Sequence, residues 1–215
     1  MYVSIELPDI NEYPNGFPEY WLNCIFNGPI STDYRVNSLV STYVRLVEAS
    51  LIEYRLAHVR LGEFWKTHDS INIGAMNKAI SHFEACILNM HRAIRCFVRL
   101  RRSPYAPQEL KDLLRKDKPS FVADKITDRL ANVRDAIHHF DEMILKEEFP
   151  EGAPIALKPD GPESLIADEN GQSLKIIDRL MIGKMEITFS ELAEWLVEMS
   201  HYTEIICRYK PRVAL

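Results

Sequence analysis

Apolar residues recur at three- and four-residue steps along four long stretches of the chain, and each stretch reads as a helix with one buried stripe. The first follows Ser31, Thr32 and Asp33, which offer N-caps, and runs to about Asp69. Its inner face is Leu39, Tyr43, Leu46, Ser50, Ala57, Leu61 and Phe64. The second runs from about Met76 to Arg102, with Ile80, Phe83, Ile87, Met90, Ile94 and Phe97 as its stripe, and Ser103-Pro104 stops it. A short helix from Glu109 to Arg115 is expected after Pro107. Pro119-Ser120 then opens a helix from about Phe121 to Glu148, and Ser190 caps a last one to about Arg208, with Leu192, Leu196, Met199, Thr203 and Ile206 turned inward.

Two regions break the helical pattern. Residues 1–30 mix Pro8, Pro14, Pro18 and Pro29 with Tyr2, Tyr13, Phe17, Tyr20, Trp21 and Phe26. Prolines this dense forbid a long helix, and the aromatics require burial, so the region reads as an arm packed on its own bundle or on a partner. Between Pro150 and Thr188, Pro154, Pro159, Gly161, Pro162, Gly171 and Gly183 separate short apolar runs: Ile155–Leu157, Ser164–Ala167, Leu174–Ile177 and Met185–Phe189. Glu169-Asn170-Gly171 between two of these runs is a hairpin-turn signal. The expected fold is therefore mainly α: an up-down bundle of four long helices with a small antiparallel β insertion before the last. It divides into an arm (1–30), a bundle segment (31–149), a β-hairpin insertion (150–189) and a final helix with its tail (190–215), one domain overall.

Composition narrows the class. With 215 residues, 47% of them hydrophobic, the chain can bury one good core. Its apolar runs are short and interrupted by charge, so no membrane span is expected, and Met1 to Asn15 lacks the basic start of a secretory signal. Cys24, Cys86, Cys96 and Cys207 are scattered without Cys-x-x-Cys spacing, which suits free thiols in a reducing cytoplasm. A formal net charge of −5 excludes a general attraction for nucleic acid and leaves room only for a local basic patch.

The candidate chemistry lies in Arg134-Asp135-Ala136-Ile137-His138-His139. A guanidinium grips phosphate bidentately and an imidazole moves protons near neutral pH, so the pair suffices for metal-free RNA cleavage. No other arginine is followed by a histidine across a gap of four to six residues. On a regular helix Leu130, Val133, Ile137, Phe140 and Ile144 form the core stripe. Arg134 and His139 then stand roughly 140° apart on the two shoulders of the polar face, with Asp135, His138 and Glu142 between them. Such a face is ordinarily a solvated surface, and residue types alone favour that plainer reading.

The stretch Val133-Arg134-Asp135-Ala136-Ile137-His138-His139-Phe140-Asp141-Glu142 resembles the signature of the HEPN family, small helical-bundle proteins many of which are ribonucleases. That signature is an arginine, a polar residue and then a histidine after a gap of four to six. Arg134, Asp135 and His139 occupy those places, with aspartate where asparagine is commonest. The resemblance implies a homodimer whose motif helices meet across a shared cleft, and a metal-independent, cofactor-free endoribonuclease acting as a toxin or defence component with a cognate antitoxin protein. It implies that His139 moves the proton of a ribose 2′-hydroxyl or of the leaving 5′-oxygen, that Arg134 holds the phosphate, and that Asp135 sets the charge or orientation of a histidine. His138 and Glu142 would support the site.

Further residues bear on that picture. Arg92, Arg95, Arg99, Arg115 and Lys116 belong to a basic stretch that suits an RNA backbone, or else complements a helix C-terminus. Glu84 and His91, a heptad apart, are candidate supports of the motif. Glu198-x-x-His201 has the spacing of a di-iron ligand pair, yet both residues lie opposite the inward stripe of their helix, so no metal is expected. No Gly-rich phosphate loop, nucleophile elbow or His-Glu-x-x-His is present. The competing function is a non-catalytic interaction module, a dimeric scaffold or antitoxin-like binder, in which the aromatic arm and the helical face hold another protein.

Overall fold

Every stripe residue named on the second and last long helices is buried, because the 3.6-residue repeat keeps them on one side. The computed structural model describes residues 2–10, 16–66, 72–146, 157–166, 171–183 and 185–210. The expected helix ends at Asp69 and Glu148 lie outside these residues, as do Tyr13, Pro14, Pro150, Pro154, Ile155, Ala167 and the Glu169-Asn170 part of the turn. Among the described residues the chain is mainly helical, with seven helices and two small sheets. In order these are β1 (Tyr2–Ile5), α1 (Gly16–Asn27), α2 (Tyr34–Lys66), α3 (Ile73–Arg102), α4 (Gln108–Leu113), α5 (Asp124–His138), α6 (Phe140–Leu145), β2 (Lys158–Asp160), β3 (Glu163–Leu165), β4 (Ser173–Ile177), β5 (Arg179–Ile182), β6 (Met185–Thr188) and α7 (Phe189–Arg208). None of the described helices is long and apolar enough to cross a membrane.

The chain divides into two compact units. One comprises Met1–Asp9, Glu53–Ala85 and Ala131–Glu194; the other comprises Ile10–Ile52, Cys86–Leu130 and Trp195–Leu215. In the first, Phe83 stacks on Phe189 with centroids 5.3 Å apart, and Tyr54 meets Phe83 edge-on at 6.4 Å. The Tyr54 hydroxyl donates to the Pro8 carbonyl at 2.7 Å, tying the segment after β1 to α2. In the second, Phe97 is the hub of an aromatic cluster, 5.2 Å from Tyr43 and 5.1 Å from both Phe121 and Tyr202. Each such contact adds about 0.5–1.5 kcal/mol beyond the area it buries. The buried Tyr43 hydroxyl donates to the Met199 carbonyl at 2.8 Å, so no polar cost is left at that point of the core.

The structure departs from expectation in four places. Residues 16–27 form a helix despite Pro18, which sits in the first turn, where a missing N–H costs nothing. That helix is two-faced: Tyr20 is buried and Asn23 donates to the Cys207 carbonyl at 2.9 Å, whereas Leu22, Ile25 and Phe26 are 54%, 68% and 79% exposed. Next, the helix expected from Phe121 to Glu148 is interrupted at His139, whose φ of −106° and ψ of 24° separate α5 from α6. The break turns Ile144 away from the expected stripe; it is 50% exposed, and Ala136 joins Leu130 and Val133 in the core instead. Third, α7 is capped by Thr188 rather than Ser190. The Thr188 N–H donates to the Glu191 carboxylate at 3.0 Å and the Glu191 N–H donates to the Thr188 hydroxyl at 3.2 Å, a reciprocal capping box.

Finally, the β structure is more than an antiparallel insertion. In the sheet ordered β2-β5-β6 all pairs are antiparallel. In the other, β4 lies between β3, antiparallel, and β1, which joins it in parallel from the far end of the chain in the register Tyr2↔Leu174 to Ile5↔Ile177. The expected β3–β4 hairpin is present, and Gly171 supplies the positive φ (+60°) at its turn. Asp160, ending β2, receives Lys175 at 2.5 Å, Lys158 at 2.9 Å and the Gly161 N–H at 2.8 Å. Partial burial pushes this carboxyl up, but the lysines and the N–H outweigh it and hold it at about 2. Its stabilising contribution is therefore complete above about pH 4 and is lost as pH falls toward about 2. Asp160→Asn is expected to lower the urea midpoint at pH 6 and to narrow the gap to the parent at pH 2; a gap that stays constant across that range would assign the loss to packing instead of charge.

Candidate functional site

The start of α5 is fixed by the carboxylate of Glu198, whose spacing from His201 resembles a metal-ligand pair. Glu198 of α7 accepts the Ser120 N–H at 2.8 Å, the Ser120 hydroxyl at 2.5 Å and the Phe121 N–H at 3.2 Å. These N–H groups belong to a 3-10 turn, Ser120–Val122, just before α5, where backbone donors lack helical acceptors. Glu198 is thus committed to a structural role. No group of three or more His, Cys, Asp or Glu side chains suited to a metal ion occurs among the described residues.

Ten residues into α5, Leu130 and Val133 anchor the inner face and Arg134 follows at its edge. The Arg134 side chain is 30% exposed, and its Nη1 meets the Asp135 carboxylate at 2.9 Å. Its Nε lies buried without an acceptor among the described residues. Among the described residues no ion pair other than that with Asp135 engages this guanidinium. At the helix break, the His139 N–H still bonds the Asp135 carbonyl at 2.8 Å, but the departure from helical angles re-aims the side chain. The ring is 58% exposed, and Nδ1 lies 3.4 Å from the Glu142 carboxylate, which also faces Lys146 at 3.7 Å.

Two separate pairs result, Arg134 with Asp135 and His139 with Glu142; no hydrogen bond or ion pair joins Arg134 to His139 among the described residues. His138, the last residue of α5, is exposed. The wheel that spread Arg134 and His139 over the shoulders of one straight helix is corrected by the break at His139. At 3.4 Å the Glu142 carboxylate stands beside Nδ1, beyond ordinary hydrogen-bond length, on the side from which a carboxylate can orient an imidazole and leave Nε2 for proton transfer. Sequence reading had put Glu142 near the site without giving it this task; the i to i+3 spacing across the α5–α6 junction was the available signal.

No family model, curated protein or solved structure matches the chain.

The supporting residues are distributed more widely than expected. Glu84 is half-buried, burial pushes its carboxyl up, and it makes no bond to the motif among the described residues. His91 is half-buried and belongs to the other compact unit from Arg134 and His139. Arg92, Arg95 and Arg99 are exposed along α3 in that same unit, as is Lys116 after α4. Arg115 differs: its Nη2 donates to the Arg101 carbonyl at 2.6 Å, so it caps the end of α3.

Proposed function

We propose that this protein is a metal-independent, cytoplasmic endoribonuclease of HEPN type, built on an up-down arrangement of its long helices and working as a homodimer under the control of an antitoxin protein. The single observation that carries the reading is the solvent-facing His139 ring with a carboxylate 3.4 Å from one nitrogen, five residues from a partly exposed arginine. In this reaction His139 Nε2 takes the proton of a ribose 2′-hydroxyl, and the freed oxygen attacks the adjacent phosphorus. The bond to the 5′-oxygen breaks, that oxygen takes a proton back from the imidazolium so formed, and a 2′,3′-cyclic phosphate remains. Arg134 binds the non-bridging oxygens and stabilises the charge that grows on them. DNA lacks the attacking hydroxyl and is not a substrate. Purified protein incubated with total RNA and a chelator is expected to yield 2′,3′-cyclic phosphate ends. Intact RNA, or cleavage abolished by the chelator, overturns the reading.

A second reading has its own support. The outer face of α1 presents Leu22, Ile25 and Phe26, with Trp21 half-exposed beside them, and Glu19 is the only charged residue of that helix. Apolar surface on the order of several hundred Å² is characteristic of an interaction site. On this reading the chain is a dimeric scaffold joined through α1. Ile25→Asp with Phe26→Asp is then expected to convert a dimer to a monomer by light scattering. A mass unchanged by the double substitution removes α1 from the interface.

A further inference from the structure

Beyond Glu84, α3 contains no carboxylate; from Ala85 to Arg102 its permanently charged residues are Arg92, Arg95, Arg99, Arg101 and Arg102. Arg101 turns toward the core, half-buried with its guanidinium 5.8 Å from the centre of the Phe97 ring. The other four are exposed and fall within an arc of about 80° on the helix. They lie opposite Met90, Ile94 and Phe97, which are buried. Exposed Arg45 of α2 adds a further cation: its charge and those of Arg92, Arg95 and Arg99 all act on the half-buried Cys96 thiol, which burial pushes up and the four guanidiniums pull down. Arg92, Arg95 and Arg99 form no ion pair among the described residues.

Like charges at three- and four-residue spacing repel, and a chain with 31 acidic residues has placed none of them on this row. The helix C-terminus favours cations only within its last turn, so it accounts for Arg99 and Arg102 and not for Arg92 or Arg45. Every position of the row is arginine, and none is lysine. A merely solvated face accepts either residue; a flat guanidinium does what an ammonium does not, gripping phosphate oxygens in pairs and stacking on an unpaired base. From Arg92 to Arg102 the row runs about 15 Å along the helix, the form of a track for a linear polyanion.

We propose that Arg45, Arg92, Arg95 and Arg99 form a binding track for single-stranded RNA, holding its phosphates and stacking on its bases around Cys96. The proposal rests on the ribonuclease reading for its choice of RNA, and gives that reading a substrate-holding surface outside the Arg134–His139 motif. It enlarges the basic patch expected from sequence by Arg45 and removes Arg115, which is spent on the Arg101 carbonyl.

The test uses the full-length chain and a fluorescent 2′-O-methyl oligouridylate, which cannot be cleaved by 2′-hydroxyl attack, so binding is measured apart from catalysis. Anisotropy between 50 and 200 mM salt is expected to give a log K against log salt slope of about −3, near −0.7 for each of four phosphate contacts. The triple variant Arg92→Gln, Arg95→Gln, Arg99→Gln should bind at least tenfold more weakly at 50 mM salt, with a slope shallower by about 2. A charge-matched control at exposed lysines, Lys78→Gln, Lys125→Gln, Lys210→Gln, should bind as the parent does. Bound oligonucleotide should also slow alkylation of Cys96. Absence of saturable binding by the parent, or a triple variant with the parent's affinity and slope, overturns the proposal. Displacement of the probe by polyglutamate at lower concentration than by RNA also overturns it, and assigns the row to an acidic protein partner. A parent that binds but never cuts unmodified RNA leaves the track standing and sinks the nuclease reading alone.

Discussion

His139→Ala is expected to lower RNA cleavage by about 10²–10⁴-fold, the contribution of a positioned general acid or base. The ring is more than half exposed and its side-chain partner among the described residues, Glu142, is equally exposed, so its removal should leave the circular dichroism spectrum and melting temperature nearly unchanged. That separation makes the variant informative: an inactive protein that folds as the parent does has lost chemistry and not structure. His138→Ala serves as the neighbouring control, since His138 is the last residue of α5 and its ring joins no ion pair among the described residues. Cleavage that survives His139→Ala but is lost with His138→Ala would transfer the proton to the other ring. Cleavage that survives both would remove the motif from the chemistry.

The largest loss of stability is expected from Gly161→Ala. A methyl group built on Gly161 meets the Ile176 carbonyl oxygen head-on and the Asp178 carboxylate at 2.7 Å. Neither obstacle yields readily. The backbone on both sides is held by the Ile176 N–H to the Pro162 carbonyl at 2.9 Å and the Asp178 N–H to the Asp160 carbonyl at 3.1 Å. Asp178 is itself bonded to Arg179 at 2.7 Å. Accommodating one methyl requires the link between β2 and β3 to move off β4, at a cost of about 3 kcal/mol. For a chain of this size that corresponds to a fall in Tm of roughly 6–12 °C. A thermal melt that shifts by less than a degree would show that the two strands are not held as described.

What could be read from sequence followed from local repetition. The stripes of α3 and α7 are regular over their whole length, and Tyr43, Leu46, Ser50, Ala57 and Leu61 of α2 are buried as their spacing requires. Asn170-Gly171 announced the β3–β4 hairpin because a two-strand turn is coded by adjacent residues. Elements settled by distant partners were not legible. Tyr2–Ile5 carries no pattern that names Leu174–Ile177 as its mate. The break at His139 has neither proline nor glycine within α5 or α6 to mark it. Two signals are local: Pro18 suits a first turn, and Thr188-Phe189-Ser190-Glu191 spells a capping box whose cap lies two residues before Ser190. At the candidate site the residue types were legible and the pairing of His139 with Glu142 was not, since it depends on the junction that the break creates.

The parallel pairing of β1 with β4 joins residues about 170 positions apart in the chain. During translation the first strand leaves the ribosome long before its mate is synthesised, so its backbone donors and acceptors face solvent or a chaperone for most of that time. Closure of this sheet is accordingly a late event in biogenesis, governed by the slow search that distant contacts impose.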